Sequence, residues 1–261
     1  MSQGTNLNEL FQSAQAEGLL SSASFQALNV ADIGTQIQAG LGIAIDDVTA
    51  SEVVLVTLMP DDSGSIRFSG NTATVSAGHN TVLDALSHSQ QQQNLLVHTR
   101  YLNGQVLFPY CPVAQATRMD SSNYNPNLGT PLYDQTVVLL GTVLAKAQEF
   151  ADNGVPVRTV TLIISDGGDE HSHRASADTV RSLVTDMLRA ETHIVAAMGI
   201  DDGSTDFRQV FRDMGIRDEW ILTPGNSRKE IHQAFQLFSQ SAVRASQSGN
   251  SFNSLGGFGS P

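Results

Sequence analysis

The stretch Val157-Arg158-Thr159-Val160-Thr161-Leu162-Ile163-Ile164-Ser165 constrains the fold more than any other. It is rich in β-branched residues, and its second half does not alternate apolar with polar. A strand of this kind is buried on both faces, as in the interior of a parallel sheet. Glu52-Val53-Val54-Leu55-Val56-Thr57-Leu58 has the same character. Parallel strands need crossover connections, usually helices. From Val53 onward the chain supplies them, with strands and helices alternating as in a doubly wound α/β fold.

The pattern predicts a helix over 80–89 and a strand over 95–101. Asn103-Gly104 is a strong hairpin signal, and Gln105–Phe108 is the returning strand, so one antiparallel edge strand is expected on an otherwise parallel sheet. Residues 111–129 read as irregular. Thr130 is expected to cap a long helix with Pro131 in its first turn, and Asn153-Gly154 ends it. Further helices are expected over 176–190, through Phe207 to Met214, and over 227–243. His193–Ile200 and Trp220–Leu222 are the remaining strands. The expected fold class is therefore α/β, a Rossmann-like doubly wound sheet with helices on both faces.

Three regions differ in composition. Residues 1–50 contain no Lys or Arg and are rich in Gln, Ser and Ala. Asn6 with Glu9 has the capping-box spacing. Leu7, Leu10, Phe11 and Ala14 share a helical face, as do Ile33, Ile37 and Leu41. This N-terminal helical extension is expected to pack on the main domain, residues 51–245; the alternative is an arm that assembles subunits. Residues 246–261 are Gly/Ser-rich and uncharged, and are expected to be disordered, so their removal should barely change stability. With 14 basic and 26 acidic residues the net charge is −12, which disfavours nucleic-acid binding. No apolar run is long enough to cross a bilayer. Cys111 is the single cysteine, so an intrachain disulfide is excluded. The first basic residue is Arg67, so a signal peptide's positive n-region is lacking. A cytoplasmic protein is expected.

The chemistry concentrates at strand ends. In open parallel sheets ligands bind beyond the carboxyl ends of the strands, where the strand order reverses. Met59-Pro60-Asp61-Asp62-Ser63-Gly64-Ser65 follows the first buried strand and carries a carboxylate and two hydroxyls on alternate residues. Asp166-Gly167-Gly168-Asp169 follows the strongest strand. Gly129-Thr130-Pro131 adds a hydroxyl on a loop that opens a helix. If the two strands are neighbours, five oxygen-bearing side chains from three loops converge: Asp61, Ser63, Ser65, Thr130 and Asp166. Hard oxygens suit Mg²⁺ or Mn²⁺. Singly, each residue reads as ordinary turn or cap chemistry; the ordered set carries the metal reading.

D-x-S-x-S, G-T-P-L and S-D-G, in this order, resemble the von Willebrand factor type A (vWA) domain with its metal-ion-dependent adhesion site (MIDAS), over roughly residues 53–243. The resemblance implies Mg²⁺ ligated directly by Ser63 and Ser65, by Thr130 directly or through water, and by Asp61 and Asp166 often through water. It also implies a protein partner that supplies an Asp or Glu to the metal. Stand-alone bacterial domains of this type often work beside an AAA+ ATPase of the MoxR or chelatase kind. Pro60 and the doubled Asp61-Asp62 depart from the family's usual apolar approach. Asp62, His171 and Asp202 are expected on a rim that selects partners.

Other chemistries find less support. Asp169-Glu170-His171-Ser172-His173 lacks the remaining ligands of a recognisable zinc site. The loop from Asp201 to Asp206 lacks the calcium-loop pattern. There is no G-x-S-x-G elbow, Walker motif or dinucleotide fingerprint. The expected protein is a binding module without catalysis of its own. The alternative readings are a metal-dependent hydrolase with His171 or His173 as base, and a structural subunit assembling through residues 1–50.

Overall fold

The computed structural model describes residues 6–247 and 256–258. Its centre is a six-stranded sheet of order β3-β2-β1-β4-β5-β6. The strands are β1 (Val53–Met59), β2 (Leu95–Arg100), β3 (Val106–Pro112), β4 (Val157–Ser165), β5 (His193–Gly199) and β6 (Ile221–Leu222). All neighbours run parallel except β2 and β3. The two strands that read as doubly buried, β1 and β4, lie side by side with Leu58 opposite Leu162 and Met59 opposite Ile163. From β1 the chain builds outward to β3, then returns to β4 and builds the other way. The order therefore reverses between β1 and β4, and their carboxyl ends share one crevice.

The helices are α1 (Leu7–Ala16), α2 (Ser22–Leu28), α3 (Ala31–Leu41), α4 (Gly64–Phe68), α5 (Thr72–Ser87), α6 (Leu132–Asp152), α7 (Ala177–Arg189), α8 (Phe207–Asp213) and α9 (Arg228–Gln247). α5 packs on α9, while α6 packs on α7, α1 and α3. α5 starts eight residues before the expected position. Its first turn, Thr72-Ala73-Thr74-Val75, carries Val75 as its one apolar side chain larger than alanine, so no helical period shows there; the helix meets α9 closely further on. A Cβ at Gly78 would fall 2.1 Å from Cδ2 of Phe235. No described helix is long and apolar enough to cross a membrane.

The N-terminal extension packs on the domain. Leu10, Phe11, Leu28, Ile37 and Leu41 belong to the main core cluster. After α3 the chain runs beside the edge strand, where Ile43 N–H donates to the Tyr110 carbonyl at 2.9 Å. Gly42 makes this approach possible: its φ is +63°, and a Cβ there would lie 2.1 Å from the Tyr110 oxygen. The extension thus occupies part of a strand edge that would otherwise present unpaired groups. The expected Asn6 capping box does not form, since Asn6 makes no side-chain cap bond.

Under α3 lies Arg100, fully buried. Its guanidinium donates to Gln36 O at 3.4 Å, Thr142 Oγ1 at 3.2 Å and Gly104 O at 3.2 Å. Burial pushes its pKa down to about 10. One buried cation thus ties the extension, α6 and the β2–β3 hairpin together through neutral acceptors.

The expected tail boundary at residue 246 falls inside α9, where Ser246 is buried. Residues 248–255 and 259–261 of that expected disordered tail lie outside the described residues. Residues 256–258 are packed: the Phe258 ring centroid is 5.2 Å from that of Trp220, and Phe258 N–H donates to Glu219 O at 2.9 Å.

Candidate metal centre

The loop after β1 is held from within. Asp61 Oδ1 accepts the Ser63 N–H at 2.7 Å, an Asx turn that brings the next two residues round. Asp61 Oδ2 accepts the Ser165 hydroxyl at 2.8 Å and the Asp166 N–H at 3.3 Å, so it binds the β1 loop to the β4 loop. The Tyr124 hydroxyl donates to the Asp61 carbonyl. Ser63 and Ser65 Oγ are 2.8 Å apart, and Asp166 Oδ1 accepts from Ser65 at 2.6 Å and from Ser63 at 3.4 Å. Four of the five expected residues are therefore in one hydrogen-bonded group. The fifth, Thr130, is buried, and its Oγ1 lies 3.9 Å from where a Cβ on Gly167 would stand. That places it beside the Asp166 loop.

Thr130 is not the cap of α6. The helix begins at Leu132, Pro131 occupies the cap position, and no side-chain cap bond forms there. The orphan N–H groups of the first turn are taken by the β4 loop instead. Asp169 Oδ1 accepts from Tyr133 N at 3.1 Å, and Ser172 Oγ accepts from Asp134 N at 3.0 Å. His171 Nδ1 accepts the Thr130 N–H at 3.0 Å. In return, Asp134 accepts three N–H groups, from His173, Arg174 and Ala175. The Thr130 hydroxyl is thus not spent on its own helix.

The electrostatics favour a cation. Asp61 and Asp166 are both buried. Burial raises the Asp61 pKa. Burial, then the nearby Asp61 charge, raises that of Asp166 to about 6. Ion pairs among the described residues all lie elsewhere. Asp166 Oδ2 is buried without a hydrogen-bond partner, a costly condition for a carboxylate oxygen. Among the described residues no group of three or more His, Cys, Asp or Glu is placed to hold a metal, so a site here draws on hydroxyls. Two carboxylates and neutral hydroxyls around an unpartnered anionic oxygen suit a hard divalent cation.

The expected rim is only partly on the surface. His171 and Asp202 are exposed, and the Asp202 charge is close enough to raise the pKa of Asp166. Asp62 is a correction: it is buried, 4% exposed, and serves as a joint. Its Oδ1 accepts Asn103 N–H at 3.0 Å, and its carbonyl accepts from Asn127 and Leu128. Burial, opposed by the Asn103 bond and aided by the Asp61 charge, pushes its pKa up to about 7. Sequence reasoning missed two supports, Ser165 and Tyr124. Ser165 had a signal, since it directly precedes Asp166 at the strand end. Tyr124 had none, sitting in an irregular stretch.

No family model matches the chain, and no curated protein is significantly similar to it. Solved structures are. Proximal thread matrix protein 1 from the mussel byssus is 13% identical with a TM-score of 0.53, over 74% of this chain and 46% of that one. The same protein with a zinc-occupied MIDAS motif is 14% identical, TM-score 0.51, with the same coverage of the two chains. The pilus adhesin SpaC from Lactobacillus rhamnosus GG, in its open conformation, is 13% identical, TM-score 0.53, over 75% of this chain and 30% of that one. The chain spans less than half the length of these structures. At such identities the likeness concerns architecture alone. The chain has the von Willebrand factor type A fold.

Proposed function

We propose that the protein is a metal-dependent protein-binding module, without catalysis of its own, in which Ser63, Ser65, Thr130, Asp61 and Asp166 hold Mg²⁺ or Mn²⁺. The observation that carries the reading is Asp166 Oδ2, buried and unpartnered beside two converging serine hydroxyls. A divalent ion held there mainly by neutral hydroxyls supplies concentrated positive charge with a position for a carboxylate from another molecule. The chain's own residues set the site's orientation: Asp61 and Ser165 fix the first loop to the third, and His171 fixes the second. The His171 ring nitrogen Nδ1 is engaged by Thr130 N–H, which argues against its use as a general base in the hydrolase alternative. The partner class that the vWA resemblance favours is an AAA+ ATPase of the MoxR or chelatase kind, in a bacterial cytoplasm.

Calorimetry of the full chain with Mg²⁺ and Mn²⁺ tests the site. One ion per chain is expected, and its loss in Ser63→Ala, with stability in chelator nearly unchanged. Thr130→Ala should likewise weaken the metal, and its cost to stability in chelator should be about 1 kcal/mol from the lost buried methyl, with no helix-cap loss added. Wild-type protein that takes up no ion at millimolar concentration would remove the basis of the proposal.

A further inference from the structure

Large apolar side chains that stand well exposed are few among the described residues: Val30, Phe68, Leu128 and Leu237. Two of them flank Gly64, in the loop that carries Ser63 and Ser65. Phe68 is 82% exposed and Leu128 is 51% exposed. Gly64, between the two site serines, donates its N–H to Leu128 O at 3.0 Å. Ser63 and Leu128 form a parallel bridge. A Cβ on Gly64 would stand 3.4 Å from Cε2 of Phe68. The Phe68 ring therefore stands against Gly64, and the Leu128 backbone is bonded to the same glycine, which lies between Ser63 and Ser65. The Arg67 guanidinium lies 5.1 Å from the Phe68 ring centroid and adds a positive charge. On a chain of net charge −12 this is a local exception.

Scattered apolar side chains on a surface need no explanation; two that flank the loop of a candidate binding centre are surface for a partner to cover. Here the patch is continuous with the group that would receive a partner's carboxylate. A segment delivering that carboxylate beside Gly64 brings its neighbouring residues over Phe68 and Leu128. Polar neighbours would leave the patch wet or desolvate themselves against it. An apolar neighbour would bury it, in the pattern of a charged contact ringed by apolar surface that excludes water.

Resting on the metal-bridged reading above, we propose that the partner segment of this site is an Asp or Glu flanked within two positions by a large apolar residue, which packs on Phe68 and Leu128. Arg67 favours a further acidic residue in the same segment. The carboxylate supplies attachment, and the apolar flank supplies selection among the many carboxylates of a cell.

The test uses immobilised peptide pools Gly-Ser-X-Glu-X-Ser-Gly, with X either Leu, Ile and Phe or Ser, Gly and Thr, probed with the full chain in Mg²⁺ and in chelator. In Mg²⁺ the apolar-flanked pool should bind roughly tenfold tighter or more. Phe68→Ser with Leu128→Ser should remove that preference while leaving Mg²⁺-dependent binding of acidic pools. Ser63→Ala should remove binding of both pools. Mg²⁺-dependent binding without a flank preference overturns this inference and leaves the metal-bridged reading standing. Absence of Mg²⁺-dependent binding by either pool overturns both. A Mg²⁺-dependent dimer of the full chain, lost in Phe68→Ser, overturns it in favour of a second copy as occupant.

Discussion

Asp166 illustrates how the centre divides structural cost from function. Its pKa is raised to about 6 from 3.8, first by burial and then by the Asp61 charge. A carboxyl whose folded pKa lies above its unfolded value binds more protons in the folded state. The stability it contributes is fully present below pH 3.8 and is lost as pH rises through about 6. Asp166→Asn removes that titration and keeps an oxygen to accept from Ser65. In chelator, the variant should be more stable than wild type at pH 8, by up to about 3 kcal/mol, and the gap should close towards pH 4. Urea unfolding across pH 4–8 measures it. With Mg²⁺ the order should reverse, since an ion that binds only the folded wild type stabilises it by mass action. A constant gap at every pH would mean that Asp166 is not the group titrating. The grouping of these side chains was legible because Asp61, Ser63, Ser65 and Asp166 lie in short loops at strand ends and Thr130 directly before a helix, where each motif is local. Asp62 was misread for the same reason: its neighbours are candidate ligands, but its role is set by Asn103, Asn127 and Leu128, far along the chain.

At the scale of elements, β1, β4 and β5 follow from composition, since a strand buried on both faces is dominated by apolar and β-branched residues. The helix boundaries were less legible. α4 has five residues, too few for a period to show, and α6 takes its first-turn partners from a loop 36 to 38 residues away. The segment around Phe258 was read as part of a disordered tail because its glycines and serines carry no periodicity. Instead, Phe258 touches Trp220 and Phe238 at centroid distances of 5.2 and 6.5 Å. Gly257 takes a φ of +82°, and a Cβ there would meet Glu219 at 2.5 Å. Phe258→Ala should therefore cost about 1 to 2 kcal/mol of stability through lost apolar burial. Thermal or urea unfolding of the variant measures this, and a midpoint equal to wild type would show that the contact adds nothing.

For the molecule as a whole, the extension is the main addition to the sheet and its helices. The apolar faces that it displays in sequence are spent inside its own chain: Leu10, Phe11, Ile37 and Leu41 are all buried there. Removing residues 1–50 would uncover Arg100, the Tyr110 carbonyl of the edge strand and the α1- and α3-facing side of α6. The shortened chain should accumulate as soluble aggregate or inclusion bodies, as size-exclusion chromatography after expression would show. A monodisperse monomer with the parent's melting temperature would mean that the extension is dispensable to the fold. The extension's packing was legible from its helical faces, whereas its reach to the strand edge was not. That reach depends on Gly42, whose close approach has no periodic signature.

The exchange of caps between α6 and the loop 169–172 has a bearing on how such a protein diversifies. A loop that also terminates its neighbour's helix is under two demands at once, so replacements at Asp169 or Ser172 must satisfy both. The loop at 201–205 is held mostly from within, since Asp202 accepts the N–H groups of Ser204 and Thr205, and its tie to the rest of the chain is a backbone bond from Asp201 N–H to Pro224 O, which any residue can make. Replacements, whether by drift or by a randomised library, are then cheapest in the second loop, with the first left as scaffold.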